Sequence, residues 1–154
     1  MKLDPASLQP LLAFAAQLNL DHPDAARDAL AAEFPLDSAP IQALREHMIE
    51  EMNAGRLVHN GADPLRYSRV FKQSEETLNF SSDAVLMNGA GPKHRHPEGE
   101  IDLCFALEGD PKFDGNPEGW VVYGKNSVHI PTVSGGQMLI LYLLPNGAFE
   151  FVKD

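Results

Sequence analysis

The sequence predicts a mainly β protein, a small antiparallel barrel or sandwich preceded by a helical segment. Three observations carry this. Ala and Leu recur at helical spacing up to about residue 55, short alternating runs separated by Gly, Pro, Asn and Asp follow from residue 56, and 154 residues suffice for one hydrophobic core. The expected organisation is a helical cap over residues 1–55 and a β unit over residues 56–154, forming one compact unit.

In the cap, Leu8, Leu11, Leu12, Ala15 and Leu18 form one apolar stripe, with Pro5 near the helix start. Asp24 to Glu33 reads as a second helix between Pro23 and Pro35. A third takes Asp37 or Ser38 as N-cap and Pro40 in its first turn. It turns Ile41, Leu44, Met48 and Met52 inward and ends near Asn53–Gly55. Arg66–Lys72 and Asn79–Met87 have strand composition. Glu100–Leu107 alternates, with Ile101, Leu103, Phe105 and Leu107 on one face and Glu100, Asp102, Cys104 and Ala106 on the other. The Ile101 face needs covering by the helices or by a second subunit. Gly109–Gly119 is loop-rich, and strands are expected over Gly119–Tyr123, Val128–Val133, Met138–Leu144 and Ala148–Val152.

The net charge of −10, with no Lys/Arg-rich block, argues against nucleic acid and against anionic membrane surfaces. No apolar run reaches a membrane span. Cys104 is the only cysteine, so no intramolecular disulfide forms. Met1–Pro5 lacks a signal-peptide layout, and a reducing cytoplasm is the expected location. No G-x-G-x-x-G follows a strand and no phosphate-binding Gly-rich loop exists, so neither nicotinamide nor flavin is expected.

The chemistry concentrates in His94, His96, Glu100 and His129. In an extended strand His94 and His96 share a face, Glu100 follows a Pro97/Gly99 kink, and His129 closes the set from another strand. Three imidazoles and a carboxylate suit a divalent Fe, Mn, Ni, Zn or Cu ion. His22, His47 and His59 lack partner spacing and read as solvent-facing or structural.

This pattern resembles the cupin motifs G-x5-H-x-H-x3/4-E-x6-G and P-x-G-x2-H-x3-N. His94, His96 and Glu100 match the first and His129 the second. The flanks depart from it: Gly89 and Gly109 stand off register, Gly124 replaces Pro, Asn126 replaces Gly and Val133 replaces Asn. Asn126 is a tolerable exchange, because Asn accepts left-handed backbone. The resemblance implies a jelly-roll β-barrel with the metal inside and, commonly, a homodimer.

A narrower resemblance covers almost the whole chain. The segments HRHPEGEIDLCFALEG (94–109), GWVVY (119–123) and HIPTVSGGQMLILY (129–142), behind an Ala/Leu-rich helical start, are similar to the 4-hydroxylaminobenzoate lyase family. That resemblance implies conversion of 4-hydroxylaminobenzoate to protocatechuate and ammonia, in bacterial nitroaromatic degradation. The substrate would be a small aromatic carboxylate, held by Arg66 or Arg69, with Tyr142 offering a hydrogen bond. Arg95, between the two histidines, points away from the metal by strand alternation. Asp102, on the Glu100 face, is the first candidate for general acid/base, with orientation of a ligand histidine as its other reading. Tyr123 is a second catalytic candidate, and Cys104 reads as a small core residue. A cupin dioxygenase or isomerase on another small acid, or a non-catalytic binding cupin, remains open from the residues alone.

Overall fold

A computed structural model describes residues 3–153, so the leader reading at Met1 and Lys2 lies outside the described residues. Helix α1 spans Gln9–Ala15, α2 Pro23–Glu33 and α3 Ala39–Asn53. Each carries a proline in its first turn, where the missing N–H has no helical partner to lose. In α1 that proline is Pro10, so the helix starts later than Pro5 suggested. Ser38 occupies the N-cap of α3 but makes no capping bond; its Oγ donates instead to the Pro35 carbonyl at 2.6 Å. The C-terminus of α3 closes by a Schellman motif. Gly55, at φ +78, donates to the Met52 carbonyl and Arg56 to the Glu51 carbonyl.

Nine strands follow: β1 Asn60–Ala62, β2 Leu65–Phe71, β3 Phe80–Met87, β4 His94–His96, β5 Glu100–Phe113, β6 Gly119–Tyr123, β7 Ser127–His129, β8 Val133–Pro145 and β9 Glu150–Phe151. They form a six-stranded sheet, β1-β2-β3-β8-β5-β6, and a three-stranded sheet, β7-β4-β9, with every named pairing antiparallel. The architecture is mainly β, two antiparallel sheets behind three helices, in line with the jelly roll that the cupin resemblance implies. Its two sheets are not joined by hydrogen bonds into one closed ring, so the fold is a two-sheet version of the expected barrel.

Some boundaries differ for physical reasons. β5 runs through Gly109 to Phe113, into the stretch expected to be loop. Its partner β8 carries Gly135 and Gly136 opposite, and a Cβ on Gly136 would collide with the Glu108 carbonyl. Two register shifts absorb the irregular stretch, which is how a sheet tolerates poor strand formers. The expected strand Val128–Val133 breaks at Pro131, which has no N–H for a ladder, leaving β7 before it and β8 after it.

The two faces of β5 build two cores. Ile101, Leu103 and Phe105 pack with Leu139, Leu141 and Leu143 of β8 against Leu12, Leu30, Leu44 and Met48 of the helices. The helical segment therefore covers the face that required covering. Trp120 of β6 ties this layer down by donating Nε1–H to the Phe34 carbonyl, just past α2, at 2.9 Å. On the other face Cys104, Val85, Met87, Val121, Ile140 and Tyr142 form a second apolar cluster between the sheets. Glu100 and Asp102 share that inner face, and the polar chemistry begins there.

Candidate metal centre

β4 and β7 are paired with His94 opposite His129, so three imidazoles project from two neighbouring strands into one space. The backbone helps fix this register. The Asn126 N–H donates to the His96 carbonyl at 2.7 Å, and Asn126 adopts φ +65, the left-handed conformation that Asn tolerates. Gly99, at φ +88, then turns the chain from β4 into β5 and delivers Glu100 from the facing sheet. A Cβ on Gly99 would meet the Tyr123 carbonyl and Leu20 at 2.8 Å each.

One ligand atom from each of His94, His96, Glu100 and His129 lies within 4.8 Å of all the others. His96 Nε2 stands 2.9 Å from His129 Nε2 and 3.3 Å from Glu100 Oε2; His129 Nε2 is 3.7 Å from that oxygen. His94 donates Nδ1–H to the Pro92 carbonyl at 2.9 Å, and His129 donates Nδ1–H to Asp114 Oδ2 at 2.7 Å. Each donation leaves an Nε2 lone pair for an ion.

The donor set fits a divalent metal ion on the structure's own terms. Two imidazole nitrogens face each other at hydrogen-bond distance, and both buried oxygens of Glu100 lack a hydrogen bond from any donor. Leaving buried acceptors unsatisfied costs about 1–3 kcal/mol each, and a cation removes that cost. Burial, reinforced by the neighbouring imidazoles, holds His96 down to about pKa 3, and burial also lowers His94. Both imidazoles are therefore neutral, the form that ligates, at neutral pH. Burial pushes Glu100 up to about 7. Asp102 is raised well above the usual carboxylate range, first by burial and then by Glu100 beside it. No protein group outside this pair donates a hydrogen bond to either carboxyl.

A cavity of about 520 Å³ opens over this cluster. His94, His96 and Glu100 line it at one end; Leu65, Val85, Met87, Tyr142 and Leu144 supply apolar wall. Arg69 and Asp83 also line it, joined by a 2.6 Å Nε–Oδ1 bond. Tyr142 lines the cavity with its hydroxyl 3.8 Å from Met87 Sδ. Arg66 lies on the opposite face of β2 from Leu65, Tyr67 and Arg69, pairs with Asp63 at 3.3 Å and does not line the cavity. Asp102 and Tyr123 are also absent from its wall. Asp102 lies fully buried behind Glu100, and the Tyr123 ring packs on His129 at 4.2 Å and on His96 at 6.2 Å. Arg95 points out of the site, with Glu150 and Asn126 as partners.

The family model described as "PnbB: 4-hydroxylaminobenzoate lyase" matches residues 8–151, spanning the helices, the sheets and all four candidate ligands. The chain belongs to this family. A curated 4-hydroxylaminobenzoate lyase from Nocardioides sp. (strain LMS-CY) is 34% identical over 95 residues, covering 56% of this chain and 56% of that protein. The match thus spans little more than half of that relative's length. Among solved structures, an RmlC-like cupin protein from Ralstonia eutropha JMP134 is 13% identical with a TM-score of 0.45, covering 60% of this chain and 62% of that one. An oxalate oxidase in complex with the substrate analogue glycolate is 16% identical with a TM-score of 0.42, covering 60% of this chain and 57% of that one.

In this 4-hydroxylaminobenzoate lyase family member, the site residue that sequence reasoning missed is Asp114. Its carboxylate accepts three bonds: from His129 Nδ1–H, from the Tyr123 hydroxyl, and from the Thr132 backbone N–H at 2.8 Å. Burial raises its pKa, but these donors outweigh burial and hold it below the usual carboxylate value. The same carboxylate and burial hold the Tyr123 phenol protonated far above its ordinary range. Asp114 lies in the turn after β5, 15 residues before His129, and no local spacing links the two. The one available signal was an Asp-Gly pair, Asp114–Gly115, which reads only as a turn.

Proposed function

We propose that this protein converts 4-hydroxylaminobenzoate to protocatechuate and ammonia, with a divalent metal ion held by His94, His96, Glu100 and His129. The observation that carries this reading is the family match over residues 8–151, which takes in the whole candidate site. The reaction takes up one water overall. The N–O bond is reduced while the ring gains oxygen, so electrons balance without nicotinamide or flavin. In outline, the hydroxylamino oxygen leaves as water, water adds at the ortho carbon, and a second water hydrolyses the C–N bond and releases ammonia. When bound, a divalent ion supplies Lewis acidity toward the departing oxygen.

The chain's own groups divide the remaining work. Arg69 receives the substrate carboxylate. Asp83 holds its Nε, and its terminal nitrogens make no hydrogen bond among the described residues. The apolar wall of Leu65, Val85, Met87 and Leu144 excludes water from the ring. Tyr142 presents its hydroxyl to the cavity. Asp102 holds a proton behind Glu100, and Tyr123 and Asp114 keep His129 in one tautomer; these act through the ligands rather than on the substrate.

The test is anaerobic incubation of metal-loaded protein with 4-hydroxylaminobenzoate, following both products. Equal release of ammonia and protocatechuate is expected, with loss of turnover and of bound metal in His96→Ala. Full activity in His96→Ala, or a requirement for dioxygen, would overturn the reading.

A further inference from the structure

Six large apolar side chains stay exposed among the described residues, and the three aromatic ones, Tyr67, Phe149 and Phe151, all line the cavity. Phe151 is 69% exposed, an unusual state for a phenylalanine with a role only in packing. Phe149 and Phe151 alternate on one face of the extended segment ending in β9, and their rings meet edge-to-face at 5.3 Å. Both also pack on His94, at 6.2 and 6.5 Å. This segment is pinned. Phe151 pairs with His94, Val152 donates to the Lys93 carbonyl at 3.0 Å, and the Arg95 guanidinium grips Glu150. Tyr67 stands across the opening on β2, in the other sheet, two residues from Arg69. Among the described residues no ring contact joins it to either phenylalanine, so the two aromatic walls stand apart with the cavity between them.

We infer that Phe149 and Phe151 on one wall and Tyr67 on the other form a slot that grips the flat face of an aromatic carboxylic acid, while Arg69 takes its carboxylate. The inference deepens the reading above and rests on its claim that the substrate is a small aromatic acid. Of the rest of the lining, Leu65, Val85, Met87 and Leu144 carry no ring and suit any apolar acid, and the ring of Tyr142 is buried with its hydroxyl toward Met87 Sδ. Discrimination belongs to the three rings, whose faces and edges complement another π system. The slot therefore sets specificity, whereas the ligand set does the chemistry.

The test is calorimetric binding to the metal-loaded protein of 4-aminobenzoate, which has no N–O bond to break, and of cyclohexanecarboxylate, which has no aromatic face. The protein should prefer the aromatic acid. Phe151→Leu, Phe149→Leu and Tyr67→Leu should each weaken 4-aminobenzoate roughly 3- to 10-fold, the scale of one aromatic contact, and leave cyclohexanecarboxylate within about twofold. Metal content should not change. Equal losses for both acids, or none, would overturn the slot, as would a change in molecular mass in the variants, which would show that a second copy of the chain covers the opening. The substituted side chains are exposed, so folding is retained, and far-UV circular dichroism checks it. Turnover is not the readout. Selective binding of 4-aminobenzoate without ammonia release from 4-hydroxylaminobenzoate would sink the lyase reading and leave the slot standing.

Discussion

Glu100 brings a conflict into the metal-free protein. Its carboxyl is fully buried against that of Asp102, and the pair has no outside donor. Such an arrangement trades stability of the empty protein for affinity toward a cation. Glu100→Gln removes the charge and supplies an amide donor toward Asp102. The metal-free variant is expected to melt higher than the metal-free parent by ~2–4 °C, the shift from about 1 kcal/mol in a domain of this size. A divalent ion should then raise the parent's melting temperature, by about 2.7 kcal/mol of linkage at a hundredfold excess over Kd, and leave the variant unmoved. Paired thermal melts with and without metal check this; an equal metal response in both proteins would remove Glu100 from the ligand set. Asp114 acts on the other side of the site, and here the consequence is affinity. Asp114→Asn keeps the shape but weakens the acceptor for His129 Nδ1–H. Losing such an outer partner typically costs 10- to 100-fold in metal affinity. Competition titration against a chelator measures it, and unaltered affinity would reduce Asp114 to a turn residue. The cluster of His94, His96, Glu100 and His129 was legible in the sequence in two ways: strand geometry converts the i, i+2 spacing of His94 and His96 into a shared face, and the Pro97/Gly99 kink and the resemblance to the cupin motifs drew in Glu100 and His129. Asp114 was not, because only the path of the β5–β6 connection brings it to His129.

At the level of elements, the site depends on turns more than on strands. Gly99 separates β4 from β5 and places two histidines and the carboxylate on facing sheets. Any Cβ there must both accept φ +88 and push on the Tyr123 carbonyl and Leu20. Gly99→Ala is expected to destabilise the protein by roughly 1–3 kcal/mol and to reduce metal uptake, since the turn that aims Glu100 must shift. Chemical denaturation and metal analysis of the same sample check both. Loss of stability with full metal uptake would mean that the turn bears strain without aiming the ligand. The regular parts of these elements were readable from alternation: β2, β3 and β6 lie within a residue of expectation, as do α2 and α3. The long ends of β5 and β8 were not. Their pairing runs through Gly109, Gly135 and Gly136, residues that signal turns locally and become strand only because two backbones approach each other closely.

For the whole molecule the question is whether the helical segment is a cap with its own stability or part of one cooperative fold. The apolar core answers physically. Leu12, Leu30 and Met48 of the helices and Leu103, Phe105 and Leu139 of the large sheet belong to one continuous buried cluster. Among the described residues no helix exceeds 15 residues, a length at which an isolated helix is marginal in water. The sheet in turn would expose the Ile101–Phe105 face if the helices left. Each layer therefore lacks a stable alternative without the other, and the two are expected to unfold together. Trp120 is the only tryptophan and sits at this boundary, hydrogen-bonded to the Phe34 carbonyl, so its fluorescence reports the interface while far-UV circular dichroism reports the secondary structure. Coincident transitions by the two probes are expected. Leu30→Ala deletes a side chain with no exposed surface and should cost about 2–5 kcal/mol, lowering both transitions by the same amount. A fluorescence transition that moves alone, ahead of the circular dichroism, would instead make residues 9–53 a separately melting layer and leave the two sheets, with the candidate metal site, folded beneath it.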